Sequence, residues 1–406
     1  MKLRININRF QEYALSIFII VFMSQRSFMS LNGYMFGHEN AMYRRLQFVI
    51  ISFLALSFLA SFSVCVKRLR KGAVLTYFFV LFLFGFTYIF ADGAKYVIDN
   101  ENLFSNIFIY GLTGFILMQM VEDYAVFFKT LRLIGYGVVI YSTVIVLYGS
   151  IGTGYMGFSY AILLYVIALL YSGLFQKNNL SLLFGIVGTI VNISGGTRGS
   201  LLSLFALLLA FLLFSKRWKL VVLFLCLSAI FTLNFSRILQ YASEIMRVMG
   251  FNSRIVGAIL GTEMSSLSDA NGRISILNVS LELIRKNWLF GYGFLGERAY
   301  INSRIWWFTT NGYAHNLVIE ILLQFGIIVG SALLFMFVYK IVYYIRRFEN
   351  NSMCGIIMIF LCYCVHLAVS RSYATTFEFW CLLGLLWRYP HKIVNTRLES
   401  RGELYE

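Results

Sequence analysis

Residues 271–330 are the most informative part of this chain, and they read NGRISILNVSLELIRKNWLFGYGFLGERAYINSRIWWFTTNGYAHNLVIEILLQFGIIVG. An amphipathic segment led by Arg273 runs into a glycine-aromatic turn, and His315 stands at the mouth of an apolar run over 317–330. The 82 residues of 234–315 look soluble, yet apolar segments precede and follow them. This segment therefore places His315 at a membrane surface, an arrangement that suits chemistry on a substrate anchored in lipid.

The composition predicts an all-α integral membrane protein. Hydrophobic residues make up 59% of the 406, and charged residues make up only 13%. Apolar runs near the bilayer-spanning length of about 20 residues recur along the chain. The first of them, Phe10–Phe22, follows a basic start but no small-residue cleavage site follows it, so we expect an uncleaved first span rather than a signal peptide.

We predict twelve membrane spans, with one long loop after the ninth. The predicted spans are 10–29, 46–66, 72–90, 103–121, 133–151, 158–175, 180–194, 199–214, 220–233, 316–338, 354–369 and 373–387. The chain then divides into spans one to nine (1–233), an extracytoplasmic loop (234–315), spans ten to twelve (316–390) and a cytoplasmic tail (391–406).

Lysine and arginine in the short loops predict the orientation, because these residues favour the cytoplasmic side. Twenty of the 34 basic residues fall on one side, which includes both termini, KRLRK at 67–71 and SKRWK at 215–219. Both termini are therefore predicted to be cytoplasmic. To keep Lys177 and SKRWK on the same side, the chain must cross the membrane twice between them, in two short spans, 180–194 and 199–214. One long helix would place every later loop on the opposite side of the membrane.

Charge, cysteine and histidine usage exclude several classes of protein. The net charge of +16 is explained mostly by this topology and by anionic inner-leaflet lipid, so no nucleic-acid partner is expected. The six cysteines lie in or beside apolar spans, and the four histidines lack metal-ligand spacing. Asp99 and Glu101 could hold a divalent cation on a diphosphate, but two acids in a polar turn are common, and we predict no metal site.

The outer loop carries eight basic residues, which could face an anionic ligand or simply form a solvated surface. They are Arg237, Arg247, Arg254, Arg273, Arg285, Lys286, Arg298 and Arg304.

The SGGTRGS hairpin tip at 194–200 is a candidate phosphate site. Its glycines allow close approach of the backbone, Thr197 or Ser200 can cap the next helix, and the helix N-terminus favours anions. Arg198 adds a planar, permanently charged fork for phosphate oxygens. The alternative is a tight turn whose arginine reaches lipid headgroups.

The segment from Arg273 to Trp288 has helical spacing of apolar residues and is predicted to lie on the membrane surface or to pack over the spans. Arg273 begins this helix, where a cation is disfavoured unless an anion is nearby, so it is a candidate for substrate binding. Trp306 and Trp307 belong to a set of aromatic residues that forms either an interfacial belt or a platform for sugar rings.

His315 is the best catalytic candidate, because its ordinary pKa of about 6.5 suits proton transfer from a hydroxyl. Asn316 and Glu320 follow on one helix face, and a carboxylate inside a membrane needs a partner. They are therefore predicted to bind substrate or to support the site. The alternative is a histidine at a helix end and a structurally paired glutamate.

Three motifs in order resemble the O-antigen ligase/polymerase superfamily of bacterial envelope glycosyltransferases. They are TRGSLLSLFALLL, then GR with an amphipathic helix and GYGF, then AHN-x-x-x-E before FGIIVG, and together they cover residues 194–330. The resemblance implies a multispan fold and transfer of a polyprenyl-diphosphate-linked glycan without a metal or other cofactor. It points to Arg198, Arg273 and His315 as catalytic residues.

Within that superfamily the expected activity is an O-antigen polymerase that joins lipid-linked repeat units at the bacterial inner membrane. The expected partners are the polyprenyl-diphosphate-linked oligosaccharide, membrane lipid and a chain-length regulator. A ligase that moves finished glycan to another acceptor is the first alternative. A lipid-linked oligosaccharide flippase is the second, although such transporters are usually built from two related halves and this chain shows no internal repeat.

Overall fold

The structure, a computed structural model, describes residues 7–91, 94–148, 155–194, 197–223, 226, 265–305, 312–346 and 352–388. Of residues 7–8, 94, 96, 148, 155–156, 198 and 265–272 it describes only the backbone. Over the described part of the chain, regular structure is entirely helical, so the predicted all-α class is confirmed. Long apolar runs form helices because each one satisfies its own backbone hydrogen bonds without water.

The helices follow one another with short connections. The first half contains α1 (Ile7–Phe36), α2 (Ala41–Arg68), α3 (Lys71–Phe90), α4 (Ala94–Asn100), a π-helical turn (Ser105–Gly111) that continues into α5 (Leu112–Met120), α6 (Tyr124–Tyr148), α7 (Tyr155–Phe175), α8 (Asn179–Ser194) and α9 (Arg198–Phe214). The second half contains α10 (Ser265–Lys286), α11 (Glu297–Arg304), α12 (Leu317–Arg346), α13 (Ser352–Cys364), a 3-10 turn (Val365–Ala368) and α14 (Phe377–Leu386).

Among the described residues, α1, α2, α3, α6, α7 and α12 are long and apolar enough to cross a membrane. Five shorter apolar helical stretches lie at Ser105–Met120, Asn179–Ser194, Gly199–Phe214, Ser352–Ala368 and Phe377–Leu386. All but one of the twelve predicted spans have a helix at their position. The predicted span 220–233 lies mostly outside the described residues, so the count of twelve stays a prediction.

Burial separates a central helix from peripheral ones. In the apolar window of α7, 89% of the residues are buried, and α6, α8, α9 and α13 pack around it. In α3 the buried share is only 17%, and in α2 and α12 it is 22%. Helices that are apolar on every face but buried on one are suited to contact with lipid. The core of the bundle therefore lies around α7, with α2, α3 and α12 at its edge.

One end of the bundle collects the charged ends of several helices. Arg68 pairs with Glu12 and lies 3.0 Å from a carboxylate oxygen of Glu122, and its Nη1 donates to the Met120 carbonyl at 3.2 Å. Arg388 donates to backbone and side-chain oxygen atoms at the start of α6. The start of α1, the ends of α2 and α5, and the end of α14 therefore lie together, as the charge pattern requires.

Candidate functional site

The break between α8 and α9 creates the first part of the candidate site. The two helices are separate, as the loop charges predicted, and α9 begins at Arg198. Thr197 is the N-cap residue, but its side chain makes no capping hydrogen bond; its hydroxyl lies 2.5 Å from the buried Ser200 hydroxyl instead. The side chain of Arg198 lies outside the described residues. The predicted capping by Thr197 or Ser200 is thus replaced by a bond between the two hydroxyl groups.

The start of α9 packs tightly against two aromatic rings. A Cβ atom at Gly199 would overlap the Tyr160 hydroxyl and would lie 3.3 Å from the Cβ atom of His366. Glycine is therefore needed here for close approach, as the glycine-rich tip suggested. The ring of Tyr160 in turn lies 4.7 Å from that of His366, so α7, α9 and the 3-10 turn after α13 meet at this point.

The connection between α13 and α14 gathers the other candidates. The Nη1 atom of Arg273 donates to the Val369 carbonyl at 3.3 Å, and the Nδ2 atom of Asn316 donates to the neighbouring Ala368 carbonyl at 2.9 Å. Arg273 and Asn316 thus reach two consecutive carbonyl groups, although 42 other residues separate them in the chain. The segment 365–372 is the point at which the outer loop and the helix bundle meet.

Asn316 holds the start of α12, and this places His315. The Asn316 side-chain oxygen accepts hydrogen bonds from the Val318 and Ile319 N–H groups at 3.0 and 3.2 Å, which is an N-cap. His315, one residue earlier, adopts the left-handed conformation with φ of 52°. Its ring is half-buried, 4.1 Å from the ring of Tyr313. A histidine at this helix end is therefore held by a capped neighbour and an aromatic contact.

Burial and neighbouring cations set the chemistry of Tyr313. Burial raises the pKa of Tyr313 to about 12, while the charges of Arg298 and Arg371 oppose that increase. The phenol beside His315 is therefore neutral near pH 7 and is available as a hydrogen-bond donor.

A buried ion network lies behind this surface. Arg298, only 1% exposed, pairs with Glu101, lies 3.4 Å from Glu320 and donates to the Ser372 hydroxyl at 2.7 Å. The Ser372 hydroxyl also donates to Glu320. Glu320 thus has the partner that a carboxylate in an apolar helix needs, and the geometry favours support over direct substrate contact. Glu101 is likewise occupied by Arg298 rather than facing an open metal position.

Glu297, next to Arg298 in the chain, is the second fully buried carboxylate of this network. Its Oε1 atom accepts a hydrogen bond from Gln324 at 2.8 Å. Burial, assisted by the charge of Glu320, raises the pKa of the Glu297 carboxyl against the opposing effect of Arg298. The sequence interpretation of Arg298 as one of eight surface cations missed this network, because its partners Glu101, Glu320 and Ser372 lie in three other segments of the chain.

A glycine-rich turn locks the network onto α12. Gly326 has φ of 71° and ψ of 174° and breaks this helix into segments 317–325 and 327–346. Three backbone hydrogen bonds of 2.7 to 2.9 Å join residues 288–293 to residues 323–327 across the break. The FGYGF sequence therefore fills the gap in the helix, which satisfies the backbone groups that the break would expose. The shorter segment 317–325, with Glu320 and Gln324, is held rigidly against α11.

An apolar cavity of about 150 Å³ lies between α9, α12 and α13. Ala206, Ala210, Phe214, Tyr344, Met358 and Val365 are among the residues that line it. Val365, at one end of this lining, precedes His366, which packs beside the start of α9. Such a surface suits a hydrocarbon chain.

Two further points concern the predicted residues. Trp306 and Trp307 lie outside the described residues. Arg371, which is not among the predicted site residues, lies beside the carbonyl groups that bind Arg273 and Asn316. One sequence feature could have identified it: Arg371 lies in the three-residue connection between the last two predicted spans, on the side of the membrane that has fewer basic residues.

The assembled geometry places a histidine, an arginine and a helix N-terminus around one short segment, with an apolar cavity below. These groups can accept a proton and stabilise negative charge on oxygen. Groups of at least three histidine, cysteine or acidic residues arranged to hold a metal are absent among the described residues.

Comparison with known proteins gives one match. The family described as O-Antigen ligase matches residues 182–335, a stretch that runs from α8 into α12 and includes Arg198, Arg273 and His315 but not Arg371. No curated protein matches the chain, and no solved structure does. The chain therefore carries an O-antigen ligase family domain over residues 182–335, consistent with a member of the O-antigen ligase/polymerase superfamily.

Proposed function

We propose that this protein is an O-antigen polymerase that joins polyprenyl-diphosphate-linked repeat units on the outer face of the bacterial inner membrane. The family match supports a glycosyltransferase-like ligase or polymerase activity in general. The observation that supports glycosyl transfer at this site is the meeting of Arg273 and Asn316 at two consecutive carbonyl groups. This contact brings a cation of the outer loop to the helix end that carries His315.

The proposed reaction is an inverting transfer without a covalent enzyme intermediate. His315 takes the proton of an acceptor sugar hydroxyl, and the hydroxyl oxygen forms a bond to the anomeric carbon of the donor. The bond between that carbon and the phosphate oxygen breaks, and its electron pair stays on the departing polyprenyl diphosphate. Arg198 and Arg273 stabilise this charge, together with the N-terminus of α9. The proton on His315 then returns to solvent or to the diphosphate.

The surroundings supply the remaining requirements. Thr197 and Ser200 shape the start of α9, and Asn316 and Glu320 hold the helix that presents His315. Trp306 and Trp307 are proposed to stack on sugar rings of the growing glycan. The apolar cavity between α9, α12 and α13 offers a hydrocarbon surface to a short part of the polyprenyl chain.

An O-antigen ligase is the second candidate, and the description of the matched family favours it. The two activities leave different products in a deletion strain. Loss of a polymerase leaves single repeat units still transferred to their final acceptor, so the surface-glycan ladder on a gel collapses to one added unit. Loss of a ligase leaves the acceptor bare while polymer accumulates on polyprenyl diphosphate. The second pattern would refute the polymerase proposal.

Complementation of that strain tests the residues. We expect His315→Ala, Arg198→Ala and Arg273→Ala each to reduce polymer at least 100-fold at normal membrane levels, by the magnitude known for loss of one transition-state donor. Arg198→Lys should restore part of the activity, because a point charge replaces a bidentate fork. Arg304→Ala is the control, since Arg304 is one third exposed and pairs with Glu282 on the surface. Full activity of His315→Ala would remove it from the proposal.

A further inference from the structure

Arg371 occupies a backbone conformation that needs an explanation. It lies between the 3-10 turn and α14, with φ of 58°, in the left-handed region that bulky residues rarely adopt. Such conformations persist where the surroundings enforce them, and they cluster at ligand sites. His315 is in the same region, with φ of 52°. Two candidate residues of one site thus share this uncommon conformation.

The contacts of Arg371 leave its hydrogen-bonding edge available. The guanidinium carbon lies 4.3 Å from the centroid of the buried Tyr160 ring, so the flat face of the group is engaged by a cation–π contact. Among the residues that the structure describes, no carboxylate oxygen lies within 4.0 Å of its nitrogen atoms. The side chain is half-buried. An arginine held by its face and without an ion pair can direct its N–H groups at an anion.

Its surroundings are those of the candidate site. The supporting ring of Tyr160 also touches Gly199, the second residue of α9. The carbonyl group two residues earlier, at Val369, accepts the hydrogen bond from Arg273. The positive charge of Arg371 is also close enough to Tyr313 to oppose the rise that burial causes in the pKa of that phenol, and the ring of Tyr313 contacts His315. Arg371 therefore lies among the start of α9, Arg273 and the Tyr313–His315 pair.

We infer that Arg371 binds phosphate oxygen atoms of the polyprenyl diphosphate, alongside Arg198 and Arg273, an assignment that rests on the proposed function. The departing polyprenyl diphosphate has one more ionisable oxygen than the sugar-linked diphosphate, and a third guanidinium stabilises the charge that develops there. The anion could instead be the headgroup of an ordinary anionic phospholipid. The test below separates these sources.

The left-handed backbone provides an unusually clean variant. Arg371→Gly removes the side chain and introduces the residue that most readily adopts this conformation, so the folded protein keeps or gains stability. Arg371→Lys retains charge without the fork. The matched control is Arg26→Ala, because Arg26 also lies over a tyrosine ring, at 3.7 Å from Tyr110, but bonds Asn106 and is outside the proposed site.

The experiment measures binding of farnesyl diphosphate to the purified full-length protein in detergent, by the rise in unfolding temperature with ligand concentration. We expect Arg371→Gly to weaken binding about 10- to 100-fold, the range for losing a charge-assisted hydrogen bond. Arg371→Lys should be intermediate, and Arg26→Ala should match the unchanged protein. Farnesol, which lacks the diphosphate, should bind equally to all variants and to the unchanged protein. Phosphatidylglycerol should also bind Arg371→Gly and the unchanged protein equally.

Each outcome decides the assignment. Equal binding of farnesyl diphosphate by Arg371→Gly and the unchanged protein would overturn it. The same holds if phosphatidylglycerol reproduces the full loss, because the residue would then bind a general lipid headgroup. If the Arg371→Gly variant without ligand unfolds at a lower temperature than the unchanged protein, Arg371 has a structural role instead. Failure of the polymerase proposal is visible separately, because the deletion strain would show the wrong glycan pattern while the diphosphate affinities remained.

Discussion

Replacing Arg298 by methionine should destabilise this protein more than any other exchange of an outer-loop cation. The guanidinium is 1% exposed and serves Glu101, Glu320 and the Ser372 hydroxyl at once. Methionine fills much of the volume but leaves two carboxylates without their partner, one of them at 0% exposure. Removing one member of a buried ion pair costs about 3–5 kcal/mol. That loss is comparable with the lower end of the 5–15 kcal/mol that stabilises a typical domain.

The assay is heat-induced unfolding of the purified protein in detergent, followed by tryptophan fluorescence. Arg298→Met should lower the midpoint by several degrees, whereas Arg304→Met should change it little, because Arg304 and Glu282 are both exposed to solvent. Adding Glu320→Gln to Arg298→Met should cost less than the two single changes combined, because the carboxylate no longer needs a partner. Equal midpoints for Arg298→Met and Arg304→Met would refute the buried network.

Three further outcomes are expected. Glu297 has a pKa raised from 4.5 to about 8, so its contribution to stability is complete below pH 4.5 and is lost as the pH rises to 8; Glu297→Gln should flatten this dependence in unfolding midpoints measured from pH 4.5 to 8. Gly326→Ala should cost about 1–3 kcal/mol in the same assay, because alanine resists the positive φ and its Cβ would meet the Leu289 carbonyl; an unchanged midpoint would contradict the docked turn. In intact spheroplasts, an impermeant thiol reagent should label a cysteine placed at the exposed Ile274 and should not label one at Ser215; the reverse pattern would invert the predicted topology.

The local pattern of apolar residues was sufficient to predict the all-α membrane class and the positions of most helices. Each span is defined by consecutive apolar residues, so its position depends on the sequence nearby and on the thickness of the bilayer. The separation of α8 from α9 followed from loop charge alone. The order of three motifs was likewise sufficient to indicate the family whose domain covers residues 182–335. The catalytic roles of Arg198, Arg273 and His315 remain predictions.

The contacts between polar groups became visible only once the helices were packed together. Arg298 read as one surface cation among eight, and its burial against Glu101 and Glu320 depends on the packing of three segments that are distant in sequence. No local sequence pattern marks Arg371 as a site residue. Its proposed role depends on its contact with Tyr160 on another helix and on the carbonyl group of Val369 nearby, which binds Arg273. Hydrophobicity acts through each segment's own composition, whereas an ion pair or an anion site requires two or more segments at a fixed distance. For that reason the apolar helices and the resemblance to the family could be predicted from the sequence, whereas the partners of the polar groups depend on the fold.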